Sequence, residues 1–387
     1  MPQLIPSLSL KGLHEKTACI FACGADIKNR FSFFNNGYIY ISDDNEDLAY
    51  QENFLKFVNK VREMKDELTL SPDIIAHDLH PSYFSSRVTS IFKNIPCVEV
   101  QHHHAHIASM LAAVEVDTAV IGVCFDGTGY GSDGHIWGGE FLVVSPRTWH
   151  RSGHLQYLKM PGGDTAVREP WRMAVSLLYE CNKDLCLDSD FPLNQYVSKK
   201  SWDFLRSMID KGVNVPLTSS CGRLFDAVSA LLGITYINTS EAEAAINLET
   251  QASLVDDTQA YSFTVINKDN LYVVSYESFF TELISDLKRK VSTACIARRF
   301  HNSLAKLILD MVTLISDDTG LKTVVLSGGV FQNKLLYSLV SQLLKEAGFR
   351  LLESNNIPVN DLGICVGQTL VAANTIKNSM VNNKQES

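Results

Sequence analysis

Apolar positions along this chain fall into short blocks whose period switches between two and about three and a half. Thr17 to Cys23 is an apolar run that reads as a strand. Arg30 to Phe34 and Tyr38 to Ser42 read as two more, paired around Asn35-Asn36-Gly37, a hairpin turn signal. Residues 48–66 place Leu48, Phe54, Leu55, Phe57, Val58 and Val61 at helical spacing. A short buried strand at Asp73 to Ala76 follows, then a helix near 81–93, the strand Cys97 to Val100, and a helix-like segment from His106 to Val114. Ala119 to Phe125 and Glu140 to Val144 are further strands. A β-rich start that becomes βα alternation predicts a mixed sheet covered by helices.

The middle, about 146–290, reads as a mainly helical inserted lobe with long polar stretches. The end returns to α/β. A helix at about 294–316 is followed by the strand Lys322 to Leu326 and the turn Ser327-Gly328-Gly329. A helix from Gln332 to Ala347, the strand Arg350 to Glu353 and a last helix at about 361–377 complete it, with a frayed polar tail from Asn378 to Ser387. The expected organisation is a first α/β lobe over 1–145, the insertion over 146–290 and a second α/β lobe over 291–387. Two such lobes with glycine turns at strand ends would face each other across a cleft, where open α/β sheets bind ligands.

Candidate chemistry concentrates in a few blocks. In Gln101-His102-His103-His104-Ala105-His106, residues His102 and His106 stand four apart and share a helical face. That spacing lets two imidazoles hold one metal, as in zinc proteases; the plain alternative is an incidental histidine tract. About twenty residues on, Phe125-Asp126-Gly127-Thr128-Gly129-Tyr130-Gly131 leads a carboxylate into a glycine turn. Together these are the parts of a metal-assisted nucleotide site. Ser327-Gly328-Gly329-Val330-Phe331-Gln332-Asn333 joins a strand to a helix, where glycines admit a phosphate. Asn333 reads either as a ribose or base contact or as a polar helix-start residue. Asp361 reads either as an N-cap or as a second carboxylate ligand. Arg223 and Asp226, three apart at a helix start, read as a local surface ion pair, or with Asp226 on ribose hydroxyls. Met160-Pro161-Gly162-Gly163-Asp164, Arg168-Glu169-Pro170-Trp171-Arg172 and Asp78-Leu79-His80-Pro81 are denser than loops require.

Bulk composition narrows the class. The 387 residues exceed one ordinary core, and 45% hydrophobic with 20% charged residues fits a globular enzyme. A net charge of −9 without a basic stripe does not suggest a nucleic-acid backbone as partner. Lys288-Arg289-Lys290 and Arg298-Arg299 read as a solvated helix face. The nine cysteines include no Cys-x-x-Cys pair, and no signal peptide or spanning apolar run is present, so a reducing cytoplasm is expected.

These motifs, in this order, resemble the C-terminal carbamoyltransferase region of HypF, the hydrogenase maturation family. The resemblance runs from about residue 17 to 375. It implies two actin-like, sugar kinase-like lobes of RNase H type around a cleft. It implies transfer of a carbamoyl group from carbamoyl-adenylate to the C-terminal cysteine of a HypE-like partner, which becomes the cyanide ligand of [NiFe]-hydrogenase. By motif position, His102, His106, Asp126 and Asp361 would hold Fe(II) or Zn(II), with His102, His106 and Asp126 central to catalysis. Gly127, Gly129, Asp226, Gly328, Gly329 and Asn333 would hold ATP, AMP or the adenylate.

The chain also departs from the family. The acylphosphatase, Cys-x-x-Cys and YrdC-like segments that precede this region in full-length HypF are not in it. The expectation is a transferase fed in trans by a YrdC-like partner, or a fragment. Ser240 to Ala245 replaces a Tyr-Glu-Gly-Gln-Ala-Ala stretch, and Asp43 to Leu48 replaces Gln-His-Ile-Gly-Asp-Leu. O-carbamoylation of a small-molecule natural product is the runner-up, and a non-catalytic nucleotide-binding relative the third reading. A threonylcarbamoyl role on tRNA is disfavoured by the missing basic character.

Overall fold

Strands buried on both faces organise the molecule. The computed structural model describes residues 7–9, 18–92, 94–181 and 191–385. The first sheet contains β1 (Leu8–Ser9), β2 (Ile20–Ala22), β3 (Ser32–Asn35), β4 (Tyr38–Ile41), β5 (Ile74–Asp78) and β6 (Cys97–Val100) in the order β1-β4-β3-β2-β5-β6. Asn36 and Gly37 both take positive φ (51° and 83°), which is what the tight β3–β4 hairpin needs. Along β2, Ile20 and Ala22 face the core between the lobes, while Phe21 packs outward with Phe31, Phe33, Phe57 and Val61.

The second sheet contains β7 (Val120–Tyr130), β8 (Ile136–Val144), β9 (Trp149–Leu155), β10 (Leu158–Lys159), β11 (Leu217–Thr218), β12 (Thr264–Lys268), β13 (Leu271–Ser275), β14 (Thr323–Ser327) and β15 (Arg350–Leu352). Its main path is β12-β13-β9-β8-β7-β14-β15. Both sheets repeat one plan. An antiparallel meander, β2-β3-β4 or β7-β8-β9, is extended beyond its first strand by two parallel strands, β5-β6 or β14-β15. This is the duplicated RNase H-type core that the family resemblance implies.

The helix after β6, His102–Ala113, and the helix after β15, Ile364–Gln385, pack against each other between the sheets. Residues His102 to Ala112 are buried throughout, as suits a helix apolar or paired on every side. Two glycines set its position. A Cβ on Gly367 would lie 1.9 Å from the Ala105 carbonyl oxygen, and one on Gly122 would lie 2.7 Å from Ile107 Cγ1. No helix among the described residues is long and apolar enough to cross a membrane.

Several expectations change. The histidine helix begins at His102, not His106, because the Gln101 side chain caps it by accepting from the His104 N–H at 2.9 Å. The helix near 81–93 is reduced to one turn at Phe84–Arg87 and a 3-10 turn at Val88–Ile91, its start fixed by Asp26 accepting from the Phe84 and Ser85 N–H groups; Lys93 lies outside the described residues. The glycine turn after Asp126 is instead a bulge in β7, which re-pairs at Gly129 and Tyr130 with Trp137 and Ile136. The segment 146–290, expected to be mainly helical, also supplies β9 to β13, while β7 and β8 of the 1–145 segment belong to the second sheet. Strand β9 is masked in the sequence because its polar side chains pair inward: Arg151 Nε donates to the fully buried Glu140 at 2.7 Å. Arg298 and Arg299 are likewise not solvated but pair with Asp256, Asp257 and Asp286. The last helix continues to Gln385 rather than ending at 377; Thr17, Glu386 and Ser387 lie outside the described residues.

Gly367→Ala should lower stability by about 3 kcal/mol, because the new methyl meets backbone rather than a side chain that can swing away. Urea unfolding checks this as a lower midpoint at unchanged slope.

Candidate functional site

One turn of the histidine helix brings the His102 and His106 rings to 5.0 Å between centroids. Asp126 enters from the second sheet, where β7 breaks register. Asp361 enters from the 3-10 turn Asp361–Gly363 ahead of the last helix. His106 Nε2 lies 3.0 Å from Asp126 Oδ2 and 3.4 Å from Asp361 Oδ1. His102 Nε2 lies 3.7 and 3.8 Å from the same two oxygens. One ligand atom from each of the four residues falls within 4.8 Å of the others.

The surroundings aim these atoms. Asp78 Oδ2 takes the His102 Nδ1 position at 2.8 Å, so Nε2 is left facing the cluster. That Nε2 is buried and has no hydrogen-bond partner. The other Asp126 oxygen accepts from the Gly127 N–H at 2.8 Å and the Gly329 N–H at 3.2 Å, reserving Oδ2 for the cluster. Asn360, not Asp361, caps the 3-10 turn by accepting from the Leu362 N–H, so the Asp361 carboxylate is released from that task. Two imidazole nitrogens and two carboxylates suit Zn(II) or Fe(II), and an orphaned imidazole nitrogen deep in the protein needs such a partner.

Electrostatics separate the four histidines. Burial works against charge on His102, but Asp78, Asp126 and Asp361 outweigh it and carry its pKa well above the ordinary value. His106 is raised in the same way, against its burial, by Asp126 and Asp361. Burial likewise opposes charge on Asp126, yet His102 and His106 hold it well below the usual carboxylate range. Burial pushes His103 far down and His104 down to about 4. His103 Nδ1 meets the Gln101 amide at 3.0 Å and His104 Nε2 meets the Ser145 carbonyl at 3.3 Å, so these two brace the helix outside the cluster.

The structure distributes the nucleotide candidates unevenly. Gly328, at φ 99°, seats its backbone on Phe125, and Gly329 faces Asp126 Oδ1. Gly127 opens toward free space, with only Arg223 Nη2 near, at 3.9 Å from a Cβ placed there. Gly129 packs on the His102 and His103 rings, so its lack of a side chain makes room for the histidines. Asn333 caps the helix Lys334–Glu346 through the Leu336 N–H at 2.8 Å and donates to His301 Nε2 at 3.0 Å, occupying both ends of its amide. Arg223 and Asp226 form a buried pair at 2.9 Å rather than a surface one, and burial lifts Asp226 to about 6. Asp78 was visible in the sequence only as part of a dense block. Its signal was a carboxylate ending a parallel strand beside the histidine helix.

Two family profiles cover most of the chain. One described as "HypF Kae1-like domain" matches residues 15–113, and one described as "Carbamoyltransferase, Kae1-like Domain, second subdomain" matches residues 122–368. The chain belongs to the HypF carbamoyltransferase family. A carbamoyltransferase HypF homologue from Cupriavidus necator is 34% identical over 365 residues, with 92% of each chain covered. Carbamoyltransferase HypF from Synechocystis is 35% identical over 368 residues, covering 91% of this chain and 46% of its own. A crystal structure of full-length HypF, phosphate- and nucleotide-bound, superposes with TM-score 0.88 and 32% identity over 96% of this chain and 48% of that one. T. kodakarensis HypF gives 0.85 and 27%, over 97% and 50%. The chain thus spans about half the length of several HypF relatives.

Asp78→Asn should weaken Zn(II) or Fe(II) binding by about 10- to 100-fold by loosening the His102 ring; competition against a chromophoric chelator reads it. His301 offers a separate test away from the cluster. Burial depresses its pKa from 6.5 to about 4, so its contribution to stability is complete above about 6.5 and drains as pH falls toward 4. His301→Gln should remove about 3 kcal/mol of that acid sensitivity. Urea unfolding at pH 7.5 and 4.5 should show the variant less stable than the parent at the higher pH and converging with it at the lower.

Proposed function

We propose that this chain transfers the carbamoyl group of carbamoyl-adenylate to the C-terminal cysteine thiol of a HypE-like partner in [NiFe]-hydrogenase maturation. A YrdC-like partner would supply the adenylate. The observation that carries this reading is the cluster His102, His106, Asp126 and Asp361, with an unpartnered His102 Nε2 and with Asp126 held by the Gly127 and Gly329 N–H groups. The nucleotide in the full-length HypF structure supports a nucleotide here.

In the transfer, the thiol sulfur bonds to the carbamoyl carbon and the carbon–oxygen bond to the adenylate phosphate breaks. AMP leaves, and the thiol proton passes to solvent. His102, His106, Asp126 and Asp361 would hold Fe(II) or Zn(II), which supplies Lewis-acid polarisation of substrate oxygens. This chain's own part is positioning. Asp78 keeps His102 oriented, and the Gly127 and Gly329 N–H groups keep Asp126 oriented. The substrate arrives activated, so orientation can supply much of the remaining rate.

The altered Ser240–Ala245 loop does not weigh against this. Glu243 Oε2 accepts from the Thr239 and Ser240 N–H groups and from the Thr239 hydroxyl, so its added charge braces its own loop.

The test combines the purified chain, carbamoyl-adenylate and a peptide ending in cysteine, and follows peptide mass. Carbamoylated thiol should form, and His106→Ala should slow it by about 100-fold or more. If adenylate is consumed only when a small hydroxyl compound replaces the peptide, the chain is an O-carbamoyltransferase instead. If adenylate binds with no transfer to either acceptor, the non-catalytic reading holds.

A further inference from the structure

Arg223 uses only part of its guanidinium within the fold. It is the third residue of the helix Cys221–Leu231, and only 7% of it is exposed. Its Nε is buried and lies 2.9 Å from Asp226 Oδ2, off the line of a hydrogen bond. Asp226 therefore faces only the Nε side of the fork, which leaves the Nη side free for a further oxygen ligand. The guanidinium tip reaches beyond Asp226 toward Gly127, where Nη2 would stand 3.9 Å from an added Cβ and nothing else is near.

The ground under that opening is built tightly. Ser220 caps the helix through the Arg223 N–H, and its hydroxyl contacts the Asp126 and Gly127 carbonyl oxygens at 2.7 and 2.8 Å. A Cβ on Gly222 would fall 2.8 Å from Gly127 Cα, so the helix start is pressed directly onto the residue beside the Asp126 carboxylate. A helix N-terminus, a glycine backbone with open space above it, and a fork-shaped cation therefore converge within one residue of the candidate metal cluster. The first two favour an anion, and the guanidinium fork matches the oxygens of a phosphate.

We propose that Arg223 binds the 5′-phosphate of the adenylate, with Asp226 as the positioning residue that holds the guanidinium from its Nε side. The inference rests on the nucleotide reading above and adds the group that recognises the charged part of the ligand. The phosphate sits over Gly127, between the Cys221–Leu231 helix start and the cluster. When the carbamoyl group has moved, the charge left on AMP is met by the same guanidinium.

Calorimetric titration of the full chain with AMP and with adenosine tests this, using the parent, Arg223→Gln and Arg223→Lys. The parent should prefer AMP. Arg223→Gln should weaken AMP by about 10- to 100-fold while leaving adenosine near its parent value. Arg223→Lys, which keeps the charge and loses the fork, should fall between them, and it carries the test alone if the glutamine variant does not fold. An unchanged AMP preference, or equal loss of both ligands, would overturn the assignment and leave the nucleotide reading standing. A parent that binds neither ligand would overturn both.

Discussion

The close seating of the histidine helix is the constraint on which the rest depends. Gly367 admits the Ala105 backbone on one side and Gly122 admits Ile107 on the other, so the helix is gripped between the last helix and β7. That grip determines where His102 and His106 stand relative to Asp361, which precedes the last helix, and Asp126, which ends the apolar part of β7. A helix free to slide by even one ångström would break a cluster whose ligand atoms lie within 4.8 Å. The fold's tightest packing and its most specialised chemistry are therefore one feature seen from two sides.

Much of this was legible in the chain. The four-residue spacing of His102 and His106 is a local property of a helix, and Asp126 and Gly328-Gly329 sit at strand ends that apolar runs announce. The apolar runs of β2 and β7 announced buried strands, but not that they belong to different sheets. Asp361 was ambiguous because an acid at a helix start is normally a cap. Only the neighbouring Asn360, which takes the capping bond, resolves it.

What remained hidden depended on contacts distant in sequence. Strand β9 carries Arg151 because Glu140 receives it and His154 because its ring meets the Leu155 carbonyl, so polarity there does not signal solvent. Asn333 looks like a ligand contact until His301, 32 residues away, is found bonded to it. Gly129 looks like phosphate-loop glycine until the histidine rings are found beneath it. In each case the residue type was informative and its partner was not.

The duplicated sheet plan has one more consequence. The histidine helix follows the fifth strand of the first core, and the last helix follows the fifth strand of the second, so the two are counterparts related by internal pseudo-symmetry. They meet near the pseudo-axis with their amino ends close together, as the approach of Asp361 to His102 and His106 shows. Two helix dipoles then present their positive ends to one small volume, a poor place for a bare cation. The three carboxylates gathered there, from Asp78, Asp126 and Asp361, reverse that field. Symmetry made the pocket hostile to metal, and acidic residues recruited from three unrelated segments make it hospitable.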